Sequence, residues 1–221
     1  MDIILTPLEV RILGSLIEKE ITTPDYYPLT LNALTNACNQ KSNRNPVMTL
    51  DEKTVVRVLD DLRQKHLVWL KNTAEGRVPK YAHRIGELFE FSPAEIGILC
   101  VLMLRGYQTS GELHSRTNRM YEFKDLSEVE ATLQYLMERE EGPFVVKLPR
   151  LPGRKESRYA HLFCGEVKVD EKDLTPPPEA ARIEVLAEDQ RISALEEEVR
   201  SLRAEMEALK ERFIKFAQEF E

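Results

Sequence analysis

Three cysteines are all that 221 residues contain. Cys38, Cys100 and Cys164 form an odd set without C-x-x-C spacing, which argues against a disulfide framework or a zinc ribbon and leaves buried free thiols as the expectation. Apolar runs are short, and none approaches the ~20 residues that cross a bilayer. The N-terminus lacks the basic region and apolar core of a secretory signal. A cytoplasmic protein with no membrane partner is expected. Signatures of chemistry are missing too: there is no P-loop, no dinucleotide fingerprint and no G-x-S-x-G elbow. His66, His83, His114 and His161 are scattered and build no helical metal-ligand cluster. The residues predict a non-enzymatic chain without cofactor or metal. Positive charge is also in deficit, at a net −7, which argues against a surface that coats nucleic acid throughout.

The deficit is uneven. Residues 1–86 carry 12 Lys+Arg against 10 Asp+Glu, residues 87–166 carry 10 against 13, and residues 167–221 carry 9 against 15. The acidity sits mainly in the tail.

What the chain does have is a short stretch written twice. Thr6-Pro7-Leu8-Glu9-Val10-Arg11-Ile12-Leu13 returns as Ser92-Pro93-Ala94-Glu95-Ile96-Gly97-Ile98-Leu99. Each copy predicts a helix start: a hydroxyl to cap free N–H groups, proline at the first helical position, and Glu three residues after the cap to close a capping box. After the first helix the spacing predicts a second helix over Leu29 to Asn39. A polar loop from Gln40 to Met48 follows, then a third helix opened by a capping box at Thr49-Leu50-Asp51-Glu52, with Val55, Val58, Leu59 and Leu62 facing a core. Strands at 67–70 and 79–83 flank a turn over 72–77. The second copy repeats the order, with helices opening at Ser92, Thr109 and Ser127 and strands at 144–148 and 158–163. Lys80-Tyr81-Ala82-His83 and Arg158-Tyr159-Ala160-His161 end the two copies alike.

This order predicts an α+β fold, mainly α with small β-hairpins. It reads as tandem winged helix-turn-helix domains over 1–86 and 87–166. A proline-bearing linker over 167–178 leads to a coiled-coil helix over 179–221. There Ile192, Leu195, Val199, Leu202, Met206 and Leu209 form a heptad seam, continued by Phe213, Phe216 and Phe220. Arg191 with Glu196, Glu198 with Arg203 and Glu205 with Lys210 would meet with opposite sign across a parallel homodimer. The alternative is a helix folded back on the domains.

Double-stranded DNA is one expected partner. The contact candidates are Lys53 and Arg57 on the third helix, Lys41 and Arg44 in the polar loop, and Lys147, Arg150, Arg154, Lys155 and Arg158 in the second hairpin. Such residues would supply backbone affinity more than base specificity. Against them, the third helix of the second copy carries Glu128, Glu130 and Glu138, which suits an unidentified protein partner and a scaffold role instead. Each basic loop also has a plain structural reading, as a self-bonded turn or a solvated wing.

Several of these stretches resemble one family. Leu5-Thr6-Pro7-Leu8-Glu9, the loop Ala37-Cys38-Asn39-Gln40-Lys41-Ser42-Asn43-Arg44-Asn45-Pro46-Val47, Leu104-Arg105-Gly106 with Gln108-Thr109, Arg119-Met120-Tyr121-Glu122-Phe123 and Pro152-Gly153-Arg154-Lys155-Glu156-Ser157-Arg158-Tyr159 are similar to the YceH-like bacterial proteins. The resemblance spans roughly residues 5–166 and implies tandem winged-helix domains in a bacterial cytoplasmic protein. It brings no activity, substrate or ligand.

Overall fold

A computed structural model describes residues 3–71, 78–150 and 156–167, which form a mixed α/β body of seven α-helices and two small antiparallel sheets. The linker, the coiled-coil seam, the first hairpin turn and the tip of the second hairpin lie outside the described residues.

In the first repeat, Thr6 caps α1 (Pro7–Thr22), and Glu9 returns a bond to the Thr6 N–H at 2.7 Å. A 3-10 turn (Pro24–Tyr26) and a two-residue strand β1 (Leu29–Thr30) follow. Thr30 caps α2 (Leu31–Cys38), so the expected second helix starts two residues late because Leu29 is held in a sheet. Helix α3 (Glu52–Gln64) is capped by Asp51, whose carboxylate accepts from the Thr54 N–H at 2.9 Å. The expected box at Thr49 does not form. Its apolar stripe is buried as expected, at Val55, Val58, Leu59 and Leu62. Strands β2 (Val68–Lys71) and β3 (Lys80–His83) pair antiparallel, and β1 joins the far edge of β3.

A short helix α4 (Ile85–Phe89), not expected from the sequence, links the repeats. The second repeat then runs α5 (Pro93–Arg105), α6 (Ser110–Thr117), α7 (Leu126–Glu138), β4 (Val145–Lys147) and β5 (Tyr159–His161). Capping boxes form at Ser92 with Glu95 and at Thr109 with Glu112, as the sequence predicts. The cap of α7 is Asp125 rather than Ser127.

The two stretches that match in sequence also share details that no spacing reveals. Leu29, just before the cap of α2, pairs with Tyr81; Gln108, just before the cap of α6, bridges to Tyr159. Tyr81 and Tyr159 occupy the same place in the two matched strand ends. The capping-box carboxylates repeat a second arrangement. Glu9 meets Lys65 at 2.6 Å and Glu95 meets Arg139 at 3.1 Å, each cation lying at the C-cap of its repeat's third helix. Lys65 also donates to the Ile4 carbonyl and Arg139 to the Phe89 carbonyl, just upstream of the two caps.

The two opening helices meet each other. α1 is buried continuously from Glu9 to Ile17 and α5 from Glu95 to Leu104, and they pack together in one apolar core drawn from both repeats. Burial along their length goes with largely apolar composition, and α1 departs from it at Arg11 and Ser15, both buried. Gly14 permits the approach: a Cβ there would stand 3.1 Å from Met103 Cβ and Leu104 Cγ. The described residues accordingly form a single compact unit. Cys38 and Cys100 are buried, with burial pushing both thiols up, whereas Cys164 is exposed, against expectation, because it follows β5 in a turn at the surface.

Candidate functional site

Two buried arginines shape the polar loop that the sequence singled out. Arg11, within the apolar run of α1, is 2% exposed and donates to the Cys38 carbonyl at 3.2 Å and the Pro46 carbonyl at 2.6 Å. Arg44 is 6% exposed; it binds both oxygens of Glu18, at 3.1 and 2.6 Å, and the Ala37 carbonyl at 3.1 Å. Asn39 ties the loop ends by exchanging two bonds with Leu50, at 2.8 and 2.7 Å. The loop is therefore folded on its own polar groups and on α1.

The charges behind this loop do not balance. Glu18 is half-buried, and its desolvation would raise its pKa, but the Arg44 guanidinium outweighs that and holds the carboxyl below its usual range. Arg11 has no carboxylate in contact; burial, then the neighbouring Arg44, brings its pKa down to about 10. Of the two buried guanidiniums, only that of Arg44 touches a carboxylate.

The same loop is fastened to the second repeat. The Asn45 N–H donates to the Leu104 carbonyl at 2.8 Å, and Asn45 Nδ2 reaches the Arg105 carbonyl at 3.3 Å. Gly106, at φ 72°, turns the chain out of α5 in a conformation that L side chains rarely adopt. Arg105 donates to Asn43 Oδ1, and Arg116 of α6 donates to Gln108 Oε1. Between the loop, α1, α5 and α6 lies a cleft of about 340 Å³. Lys19, Arg105, Arg116 and Arg119 line it with one carboxylate, Glu18. Val101, Leu104 and Met120 supply its apolar part.

The expected DNA-contact residues do not all gather at one place. Lys53 and Arg57 stand exposed on α3, one helical turn apart, and neither forms an ion pair among the described residues. Lys41, Lys147 and Arg150 are exposed and Arg158 is half-buried. Arg154 and Lys155 lie outside the described residues. Arg44 must be withdrawn from the set, because its side chain is spent on Glu18 and on carbonyls inside the body and cannot reach a phosphate. The cleft residues Lys19, Arg105, Arg116 and Arg119 were not among the candidates, although Arg105 and Arg119 stand in two of the stretches that carry the family resemblance.

The histidines have structural settings. His83 ends β3, where its N–H donates to the Tyr27 hydroxyl at 2.8 Å and its ring nitrogen Nε2 lies 2.8 Å from Glu20. His161 ends β5, and burial pushes its pKa down to about 4, so it is neutral near pH 7. Among the described residues, no three His, Cys, Asp or Glu side chains gather as metal ligands would, and no helix is long and apolar enough to cross a membrane.

The chain matches the family described as "Protein of unknown function, DUF480" over residues 5–154. A UPF0502 protein of Geobacter sulfurreducens is 56% identical over 202 residues, covering 91% of each chain. Another from Aeromonas hydrophila is 54% identical over 221 residues, covering 96% of this chain and 97% of the relative. A third, from Pelobacter propionicus, is 51% identical over the full length of both. On the matched span and these identities, the chain belongs to the DUF480, or UPF0502, family of bacterial proteins, in agreement with the YceH-like resemblance read from its motifs.

Proposed function

We propose that this is a non-enzymatic, cytoplasmic tandem winged-helix protein that contacts double-stranded DNA through its first repeat, in regulation or chromosome maintenance, and dimerises through the heptad seam of its C-terminal helix. The observation that carries the DNA reading is the pair of exposed cations on α3. Lys53 and Arg57 project from the helix that a winged helix-turn-helix offers to the major groove. Two of the four acidic groups on this helix are engaged, Asp51 in capping it and Asp60 in a pair with Arg63 at 3.1 Å, while Glu52 and Asp61 stand exposed beside the cations. Asn32 and Asn36 on the exposed side of α2 add neutral polar groups. On the hairpin, Trp69 is 40% exposed, with Lys71 4.8 Å from its ring.

The test is binding to an arbitrary duplex at ~50 mM salt, where phosphate contacts are strongest. Measurable affinity is expected, falling with log salt at a slope of about −0.9 per neutralised phosphate. Absence of binding under that condition would overturn the reading.

A second reading, protein assembly without DNA, is favoured by α7. Its exposed positions include Tyr135, 58% exposed, with Glu138 about one turn further on, and Glu130. Such a face repels phosphate and suits a partner with apolar and basic side chains. A stable co-purifying protein, with no shift of DNA, would support it over the first.

A further inference from the structure

We propose that the outward face of the first repeat's sheet binds single-stranded nucleic acid, with an unpaired base stacked on Trp69 and the neighbouring phosphates on Lys71, Lys80 and Arg84. In the antiparallel register Trp69 stands opposite Ala82, and Lys71 opposite Lys80. Opposite residues share a face, as do side chains two apart along a strand, so these four lie on one side of the sheet. Arg84, just past the end of β3, joins them with its guanidinium 5.9 Å from the indole. The other side of the sheet, with Val68 and His83 buried, faces the core. Trp69 is 40% exposed, Lys71 is exposed with its ammonium 4.8 Å from the ring, and Lys80 is half-buried.

The charges on this face work against the fold and in favour of an anion. Like charges set directly opposite on a sheet destabilise it, and Lys71 with Lys80 is such a pair. Among the described residues no carboxylate forms an ion pair with either lysine; Glu87 is 3.0 Å from Arg84, and Glu20 is 2.8 Å from His83. A phosphate between the two ammonium groups would turn their repulsion into attraction. The second repeat supplies the contrast. With the matched strand ends aligned, Val146 opposite Ala160 takes the place of Trp69 opposite Ala82, and Leu148 with Arg158 takes the place of the lysine pair. There Leu148 and Ala160 are buried, packed with Tyr107, Val146 and Val167. The face that apolar contacts close in one repeat is open, aromatic and basic in the other. Such a surface suits single strands, because every unpaired base has a face that stacks and carries its phosphates with it, whereas a duplex keeps those faces within its own stack. The contact of Lys71 with the indole is weak at an exposed position, so a base can replace the ammonium on the ring and leave it for a phosphate. This site is additional to duplex contact through Lys53 and Arg57, and either can fail without the other.

Trp69 is the one tryptophan in the chain, so indole fluorescence reports this face alone. The experiment titrates the full chain at ~50 mM salt with a single-stranded oligothymidylate of about twelve nucleotides, an abasic strand with as many phosphates, and a duplex of the same length. The oligothymidylate should quench the indole saturably, and the abasic strand and the duplex much less. With a labelled strand followed by anisotropy, Trp69→Ala should weaken binding about tenfold while Trp69→Phe keeps most of it. Lys71→Ala with Lys80→Ala should flatten the salt slope by about 1.4, at about 0.7 per phosphate contact on a single strand. Lys53→Ala with Arg57→Ala should leave single-strand binding unchanged. No saturable quenching at about 100 μM oligothymidylate would overturn the proposal. Equal quenching by the abasic strand would do the same, since phosphate alone would then be read. If only the duplex quenches, the face belongs to a duplex contact and the proposal is wrong. A loss in Trp69→Phe as large as in Trp69→Ala would also contradict it, because stacking survives that exchange.

Discussion

In the first repeat, Glu9 runs from the opening of α1 to Lys65 at the end of α3; in the second, Glu95 runs from the opening of α5 to Arg139 at the end of α7. The framework is the same, down to the backbone carbonyl that each cation also holds. The third helices differ outside that frame. α3 shows Lys53 and Arg57 to solvent, whereas α7 shows Glu130, Tyr135 and Glu138. Their leading connections differ too: the first repeat spends thirteen residues, 39–51, between α2 and α3, and the second spends eight, 118–125, between α6 and α7. The longer connection is the loop built on Arg11 and Arg44. The buried contacts recur in both repeats, whereas the exposed faces of the third helices differ in charge.

The largest effect on this comparison should come from the pair that has no counterpart in the second repeat. Arg44→Met removes the bidentate partner of the largely buried Glu18 and leaves it only Lys19, at 3.4 Å, so a loss of ~3 kcal/mol is expected in denaturant unfolding. The same change should loosen the loop and with it the cleft. Next are the matched pairs, which differ in exposure. Glu95 and Arg139 have side chains 5% and 8% exposed, while Lys65 is 34% exposed. Glu95→Ala should therefore cost ~2–3 kcal/mol and Glu9→Ala only ~1–2 kcal/mol, each including a lost cap. Equal losses would show that burial does not separate the two repeats energetically.

Acid should sharpen the asymmetry. Burial raises the Glu9 carboxyl, but Lys65 and the Thr6 cap lower it further, and Arg44 does the same for Glu18. Both therefore hold fewer protons in the folded than in the unfolded chain as pH falls through the carboxylate range. The stability they contribute is present above the unfolded value near 4.5 and is lost as pH drops through their lowered folded values. The slope is at most about 1.4 kcal/mol per pH unit for each group. Glu18→Gln should flatten part of this limb when unfolding midpoints are compared between about pH 7 and pH 3.

Much of this was legible in the residues. Thr6 with Glu9, Ser92 with Glu95 and Thr109 with Glu112 announce capping boxes because cap and acceptor are three residues apart. The buried stripe of α3 follows from its period. The mistaken caps at Thr49 and Ser127 arose where an aspartate stood two residues away and competed successfully for the same role. Leu29 looked helical because a two-residue strand has no period to read. The buried roles of Arg11 and Arg44 depend on carbonyls and a carboxylate 26 to 35 residues away. Local spacing cannot supply these, although a cation between Val10 and Ile12 in an apolar helix was a visible anomaly. The cleft was illegible for the same reason, since its cations converge only when α1 meets α5.

The smallest perturbation to the fold is also the most direct test of the proposed division of labour. Duplex affinity would be measured across salt for the native chain, for Lys53→Ala with Arg57→Ala, and for Glu130→Ala with Tyr135→Ala. All four side chains are exposed, so the fold should survive. Contact through the first repeat predicts that the α3 pair loses affinity and flattens the salt slope by about 1.8, at about 0.9 per phosphate contact, while the α7 pair stays close to native. An unchanged slope in the α3 variant, or an equal loss in the α7 variant, would contradict the assignment of DNA contact to the first repeat.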